Sequence, residues 1–140
     1  MVKTGLDILI EGGAKALRGR KVGVVTNPTG ALADGTPNIE ALRAAGVNVK
    51  ALFGPEHGVR GDVPAGKYVA SYRDPKTGLP VYSLYGKTRS PTQAMLKGLD
   101  TLVFDLQDIG SRSYTYLSSL GAVLDGAAKA GVKEIGRAHV

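Results

Sequence analysis

The sequence predicts a doubly wound α/β domain, a mostly parallel sheet with helices on both faces. Three observations carry this. Short apolar runs rich in Val, Leu and Ile, the length of buried strands, alternate along the chain with stretches whose apolar residues recur at helical spacing. The helical stretches are bracketed by start and stop signals of the Thr/Ser-x-x-Asp/Gln and closing-glycine type. The strand-like runs end in polar loops, as expected where the carboxyl ends of parallel strands gather at one ligand-binding edge. At 140 residues and 43% hydrophobic content the chain is long enough for one domain with a real core.

Thr4-Gly5-Leu6-Asp7 has the spacing of a capping box with Asp in place of Glu. Leu6, Ile10, Ala14 and Leu17 follow at helical intervals, so a first helix is expected, weakened in its middle by Gly12-Gly13. Lys21 to Thr26 is a β-branched run ending in Asn27-Pro28, the mark of a buried strand and its loop. Thr36 as N-cap with Pro37 at the first helical position opens a second helix through Ala45, closed by Gly46. Val49 to Phe53 is the second strand and Leu79 to Leu84 the third. Ser90-Pro91-Thr92-Gln93 predicts a capped short helix to about Lys97, and Thr101 to Leu106 is the fourth and most apolar strand. Tyr116, Leu120, Val123, Leu124, Ala127 and Ala128 mark a long final helix ended by Gly131.

Composition narrows the function classes. With no cysteine, disulfides, thiolate metal sites and a cysteine nucleophile are all excluded. The net charge of +6 is scattered, with no run of like charges and no aromatic-basic motif, so a solvated surface is expected and nucleic acid is not the expected partner. No apolar run approaches a membrane span, and the start of the chain lacks the pattern of a signal peptide, so a soluble, untargeted chain is expected. Two nucleotide motifs are absent. The turn after the first strand reads Val25-Thr26-Asn27-Pro28-Thr29-Gly30 in place of a glycine fingerprint, and Gly86-Lys87-Thr88 has Val81 where a phosphate loop requires glycine. No cofactor is expected.

The most informative segment is Leu52-Phe53-Gly54-Pro55-Glu56-His57-Gly58-Val59-Arg60-Gly61-Asp62. It sets two carboxylates, an imidazole and a guanidinium on a stiff loop at a strand's carboxyl end, and such groups are costly to bury without partners. Glu56 is read as a general acid or base, with His57 tuning its charge or orienting substrate. The competing explanation is an ion-paired turn that closes the loop. A metal held by Glu56, His57 and Asp62 is the weaker rival, because no second histidine stands at ligand spacing. Asn27, Tyr85, Lys87 and the segment Asp105-Leu106-Gln107-Asp108-Ile109-Gly110-Ser111-Arg112 reach the same edge. Asp105 and Gln107 are the stronger candidates there, while Asp108 and Ser111 also suit helix capping, and Arg112 suits pairing with Asp105. Lys87 and Arg89 suit an anionic group or a solvated loop face. Tyr82, Tyr85, Tyr114 and Tyr116 are either sugar-stacking rings or ordinary core.

The last seven residues, Glu134-Ile135-Gly136-Arg137-Ala138-His139-Val140, back-translate as GAG ATC GGA AGA GCA CAC GTC, which matches a common short-read sequencing adapter. They are expected to be an artefact replacing an apolar strand after Lys133. On that expectation His139 carries no function, and His57 is the one natural histidine.

Together the segments Thr4 to Asp7, Val24 to Gly30, Leu52 to Asp62, Ser71 to Gly86 and Phe104 to Gly110 resemble a bacterial family, the exo-acting β-N-acetylmuramidases of peptidoglycan recycling, long catalogued as a domain of unknown function. The resemblance implies a Rossmann-like N-terminal subdomain over residues 1–133, incomplete at its end, with a second subdomain missing and the active site in the cleft between the two. It implies Glu56 as the catalytic residue and a peptidoglycan-derived saccharide as substrate, cleaved to release N-acetylmuramic acid from the nonreducing end. Glycosidases of this kind pair a protonated acid with a second carboxylate, for which Glu56 as acid and Asp62 or Asp105 as partner are the candidates. Arg60 or Arg112 suits the lactyl carboxylate of that sugar. The other class left open is a noncatalytic muropeptide- or sugar-binding domain. Family members are often exported, whereas this chain shows no signal peptide, so localisation stays open between the two.

Overall fold

The computed structural model describes residues 2–136. In chain order the elements are helix α1 (Gly5–Glu11), a 3-10 turn (Lys15–Leu17), β1 (Lys21–Thr26), α2 (Asn38–Ala44), β2 (Asn48–Gly54), β3 (Tyr72–Arg73), β4 (Pro80–Ser83), α3 (Gln93–Leu96), β5 (Thr101–Asp105), α4 (Tyr116–Ala130) and β6 (Lys133–Gly136). They form one sheet in the order β3-β4-β2-β1-β5-β6. Every pairing is parallel except that of β3, which lies antiparallel on β4 at the edge. Counting the parallel strands alone, the order is 3-2-1-4-5, the doubly wound arrangement of Rossmann-like folds.

Two apolar layers cover the sheet. On one face Leu6 of α1, Leu17 of the 3-10 turn, and Ile39 and Leu42 of α2 pack on Val22, Val24, Leu52 and Val103. On the other, Leu96 of α3 with Val123 and Ala127 of α4 packs on Val25, Phe53, Leu102 and Phe104. Alternating residues of β1 thus serve opposite layers, as the two-residue repeat of a strand requires. β2 departs from that repeat because its register with β1 shifts after Val22: Val22 pairs with Val49, and Gly23 pairs with Ala51. The extra residue, Lys50, is exposed, and Val49 and Leu52 face the same layer although they are three apart. Gly23 has no room for a side chain, since a Cβ there would lie 2.7 Å from Leu102 and 2.8 Å from Phe53. Both large side chains close over β1 at that point.

Several local expectations are corrected. The Thr4 capping box forms in full, but Gly12-Gly13 does more than weaken the first helix: α1 ends at Glu11, and the chain reaches Leu17 through a left-handed Ala14 and the 3-10 turn. Thr36 is not the cap of α2; Pro37 occupies that position without a side-chain bond, and the Thr36 amide donates instead to Asp34. Nor does Ser90 cap α3. Thr92 accepts from the Met95 amide, and the Ser90 hydroxyl donates to the Ala122 carbonyl, tying this loop to α4. β3 was not expected, and two residues are too few to show a repeat. Residues 134–136, attributed above to an adapter, continue Lys133 as β6 and pair with β5, so a strand is present where one was expected to be lost. His139 lies outside the described residues. Among the described residues no helix is long and apolar enough to cross a membrane.

Candidate active site

The carboxyl ends of β1, β2, β4 and β5 bring the expected loops to one edge. β2 ends at Gly54, and Pro55 turns the chain so that Glu56 and His57 stand half-buried above the sheet. One oxygen of Glu56 accepts the Gly66 amide at 2.9 Å, and the other accepts the Thr115 hydroxyl at 3.3 Å. The Gly66 amide is the largest influence holding the Glu56 carboxyl below the usual range; burial opposes it, and the Tyr85 and Thr115 hydroxyls and neighbouring His57 add to it. This environment favours the ionised form, which suits the base or a nucleophile more than the acid among the roles the sequence left open.

His57 adopts a left-handed backbone, φ 71°, which for a non-glycine residue costs roughly 1–2 kcal/mol. Its Nδ1 lies 3.0 Å from the Val63 carbonyl. A carbonyl only accepts, so Nδ1 is the donor in this contact. The strained turn is locked in place by the Val63 amide, which donates back to the His57 carbonyl at 3.3 Å.

Glu56 and His57 open onto a cavity of about 400 Å³, completed by Ala65 and by residues 113–116 at the start of α4. Tyr114 meets Tyr116 edge-on with ring centroids 5.7 Å apart. Burial, together with the nearby Glu56 charge, pushes the Tyr116 hydroxyl above its ordinary value. Tyr85 joins this group from the end of β4, and the Arg89 guanidinium lies 3.9 Å above the Tyr85 ring. Tyr82 is core, tilted against Phe53 at 5.5 Å. Gly66, Thr115 and Ser113 had no signal in the sequence. Gly66 and Thr115 become partners of Glu56, and Ser113 a wall of its cavity, only because a loop and a helix distant in the chain converge there.

Other expected site residues have different places. Asn27 is 6% exposed; its Oδ1 accepts the amide and hydroxyl of Thr29, and its Nδ2 donates to the Tyr116 hydroxyl at 3.0 Å. Asp105, 1% exposed, accepts from Asn38, which also donates to Thr26. This knot fills the point between β1 and β5 where the strand order reverses, and it leaves no room for a side chain at Gly30, whose Cβ would lie 2.4 Å from both Asn38 and Thr26. Arg60 is committed too. Its Nε and Nη2 donate to both oxygens of fully buried Asp74 at 3.1 and 2.8 Å, and Nη1 donates to Glu40 of α2 at 3.1 Å. The guanidinium offered to a substrate carboxylate is therefore a clamp between the β2 loop, α2 and the β3–β4 hairpin. Asp74, unremarked in the sequence, is what holds it.

Asp62, Lys87 and Arg112 are exposed on the loops at this edge. Asp62 approaches the Gly58 backbone in the same turn as His57. The Gln107 amide donates to the Thr29 hydroxyl at 3.3 Å, and Asp108 accepts the Gly110 amide at 2.7 Å, turning the loop without capping α4. Among the described residues no three His, Asp or Glu side chains converge as a metal site would require. A wider depression of about 560 Å³ between α3 and the end of α4 lies at the opposite edge of the sheet and holds lysines but no carboxylate.

The family model described as exo-beta-N-acetylmuramidase NamZ, N-terminal, matches residues 22–135. Over 132 residues the chain is 47% identical to the peptidoglycan beta-N-acetylmuramidase NamZ of Bacillus subtilis (strain 168), covering 94% of this chain and 32% of that protein. Crystal structures of two DUF1343 family proteins from Bacteroides fragilis NCTC 9343 superpose with TM-scores of 0.87 and 0.76 at 51% and 30% identity, each over 96% of this chain and 33% of the other. The chain thus spans about a third of the length of the relatives it matches. The likeness extends from β1 to β6 and takes in the Glu56 loop, and on that ground the chain belongs to the family of NamZ N-terminal domains.

Proposed function

We propose that this chain is the N-terminal, Rossmann-like part of a glycosidase that releases N-acetylmuramic acid from the nonreducing end of peptidoglycan fragments, with Glu56 as the reacting carboxylate. The observation that carries this is Glu56 itself, ionised at a strand's carboxyl end and facing a tyrosine-lined cavity of about 400 Å³. The name of the Bacillus relative supports the substrate class.

Glycosidic cleavage pairs a carboxylate that attacks the sugar, or activates water, with an acid that protonates the leaving oxygen. Glu56 fits the first task, because the Gly66 amide and Thr115 hydroxyl stabilise its charge. His57, with Nδ1 tied to Val63, is held beside Glu56 as an orienting group. Asp62 is the exposed carboxylate of the same loop and serves as the acid, unless a further part of the longer protein supplies one; Asp105 is sealed away from that role. A second subdomain closing the cavity accords with the greater length of the relatives. Arg112 and Lys87 are the cations left for the lactyl carboxylate now that Arg60 is clamped.

The test is incubation of the intact protein that carries this chain with the disaccharide MurNAc-GlcNAc. Release of both free sugars is expected. Tight binding without release would instead establish a noncatalytic muropeptide- or sugar-binding domain.

A further inference from the structure

Tyr116 lines the Glu56 cavity, and its hydroxyl has one proton and two lone pairs. Asn27 settles how they are used. The Thr29 amide can only donate, so the Asn27 atom 3.0 Å from it is the carbonyl oxygen, and the amide nitrogen must face Tyr116. The Thr29 hydroxyl, 2.6 Å from the same Oδ1, holds that orientation. Asn27 therefore donates onto a lone pair of Tyr116, and the hydroxyl proton points elsewhere. Among the described residues nothing accepts it. A buried amide fixed at three points thus delivers one unused donor to the cavity that holds the Glu56 carboxylate.

We infer that Tyr116 is a substrate-binding residue, donating a hydrogen bond to an acceptor oxygen of the sugar beside Glu56, and that Asn27 is the positioning residue that makes it a donor. The inference rests on the sugar-cleaving function proposed above. The substrate class follows from the chemistry of the wall: an N-acetylated sugar offers hydroxyl and acetamido oxygens, and the edge-on Tyr114 ring offers an apolar side for its ring face. Burial keeps the Tyr116 hydroxyl protonated throughout the neutral range.

Two near-isosteric changes in the intact protein test this with MurNAc-GlcNAc turnover and calorimetric binding of free MurNAc. Tyr116→Phe removes the donor and keeps the ring, and KM and Kd should rise about tenfold, the scale of one lost neutral hydrogen bond, with kcat little changed. Asn27→Asp keeps the oxygen that Thr29 binds but replaces the donor facing Tyr116 with an acceptor, so the hydroxyl proton turns away from the cavity. It should reproduce the Tyr116→Phe loss, and the double variant should be no worse than either single one. A purely structural Asn27 would leave both constants unchanged in Asn27→Asp. Should that variant lose its thermal transition, Asn27→Ala takes its place; the Tyr116 hydroxyl then keeps its proton but loses the partner that aims it, so KM should rise, by less than in Tyr116→Phe. Wild-type constants in Tyr116→Phe would overturn the inference outright while leaving the proposed function standing; a wild-type protein that neither binds nor cleaves the sugar removes both.

Discussion

Glu56 is a residue whose type was legible in the sequence and whose state was not. Gly-Pro-Glu-His-Gly at the end of an apolar run is costly enough to advertise a site, but the amide that fixes the charge belongs to Gly66, ten residues on, and the hydroxyl belongs to Thr115, across the sheet. Glu56→Gln keeps size and hydrogen bonding and removes the charge. In the intact protein, on the proposed reaction, it should lower kcat by on the order of 10² to 10⁴ with little change in KM, measured on MurNAc-GlcNAc. Near-normal turnover would remove Glu56 from the reaction. Because its pKa is depressed, the active carboxylate persists above that value and is lost as pH falls through it, giving the acidic limb of the kcat/KM profile. Thr115→Val deletes one stabilising hydroxyl and should move that limb to higher pH, whereas an unmoved limb would mean that another group sets it.

Among elements, the strands and long helix were legible because their periods of 2 and 3.6 repeat enough times to be seen. The exceptions have local causes: the Lys50 bulge breaks the repeat in β2, β3 is two residues long, and α2 and α3 begin one or two residues beyond the expected caps. What no period encodes is the Arg60 clamp, which joins three segments through Asp74 and Glu40. Arg60 holds the Asp74 carboxyl below the usual carboxylate range, with Thr77 helping and burial opposing. An unfolded Asp titrates near about 3.9, so the clamp contributes in full above that pH and is lost as pH falls through the lower native value. Thermal melts from pH 7 to pH 2 should therefore show a steep acid limb that Asp74→Asn flattens, at the cost of a lower melting temperature at neutral pH, since removing one partner of a buried pair costs about 3–5 kcal/mol. An acid limb of unchanged steepness in Asp74→Asn would place the acid sensitivity elsewhere.

For the molecule as a whole, alternation of strands and helices sufficed to predict a doubly wound sheet, and the strand order then fixed which loops meet. The chemistry is less evenly spread than the four polar loops suggested: it collects over β2 and the start of α4, while the loops of β1 and β5 mostly bind each other. The donor set bears on whether the proposed reaction needs a metal. One histidine among the described residues and no cysteine make a poor zinc site, and a carboxylate pair cleaves glycosides without a Lewis acid. Prolonged chelation is accordingly expected to leave turnover unchanged; activity lost to the chelator and restored by zinc or magnesium would overturn the two-carboxylate scheme.

The end of β1 behaves as a party wall between two rooms. On one side lies the chamber of Glu56, and on the other a smaller chamber of about 200 Å³ lined by Pro28, Pro37, Asn38 and Lys76. Asn27 lines the small room with its flank and touches the larger one through the amide it donates to Tyr116. Val59 and Arg60, from the loop that carries Glu56, also line the small room, so whatever fills or empties it has two passages to the Glu56 chamber, along that loop and through the Asn27 side chain.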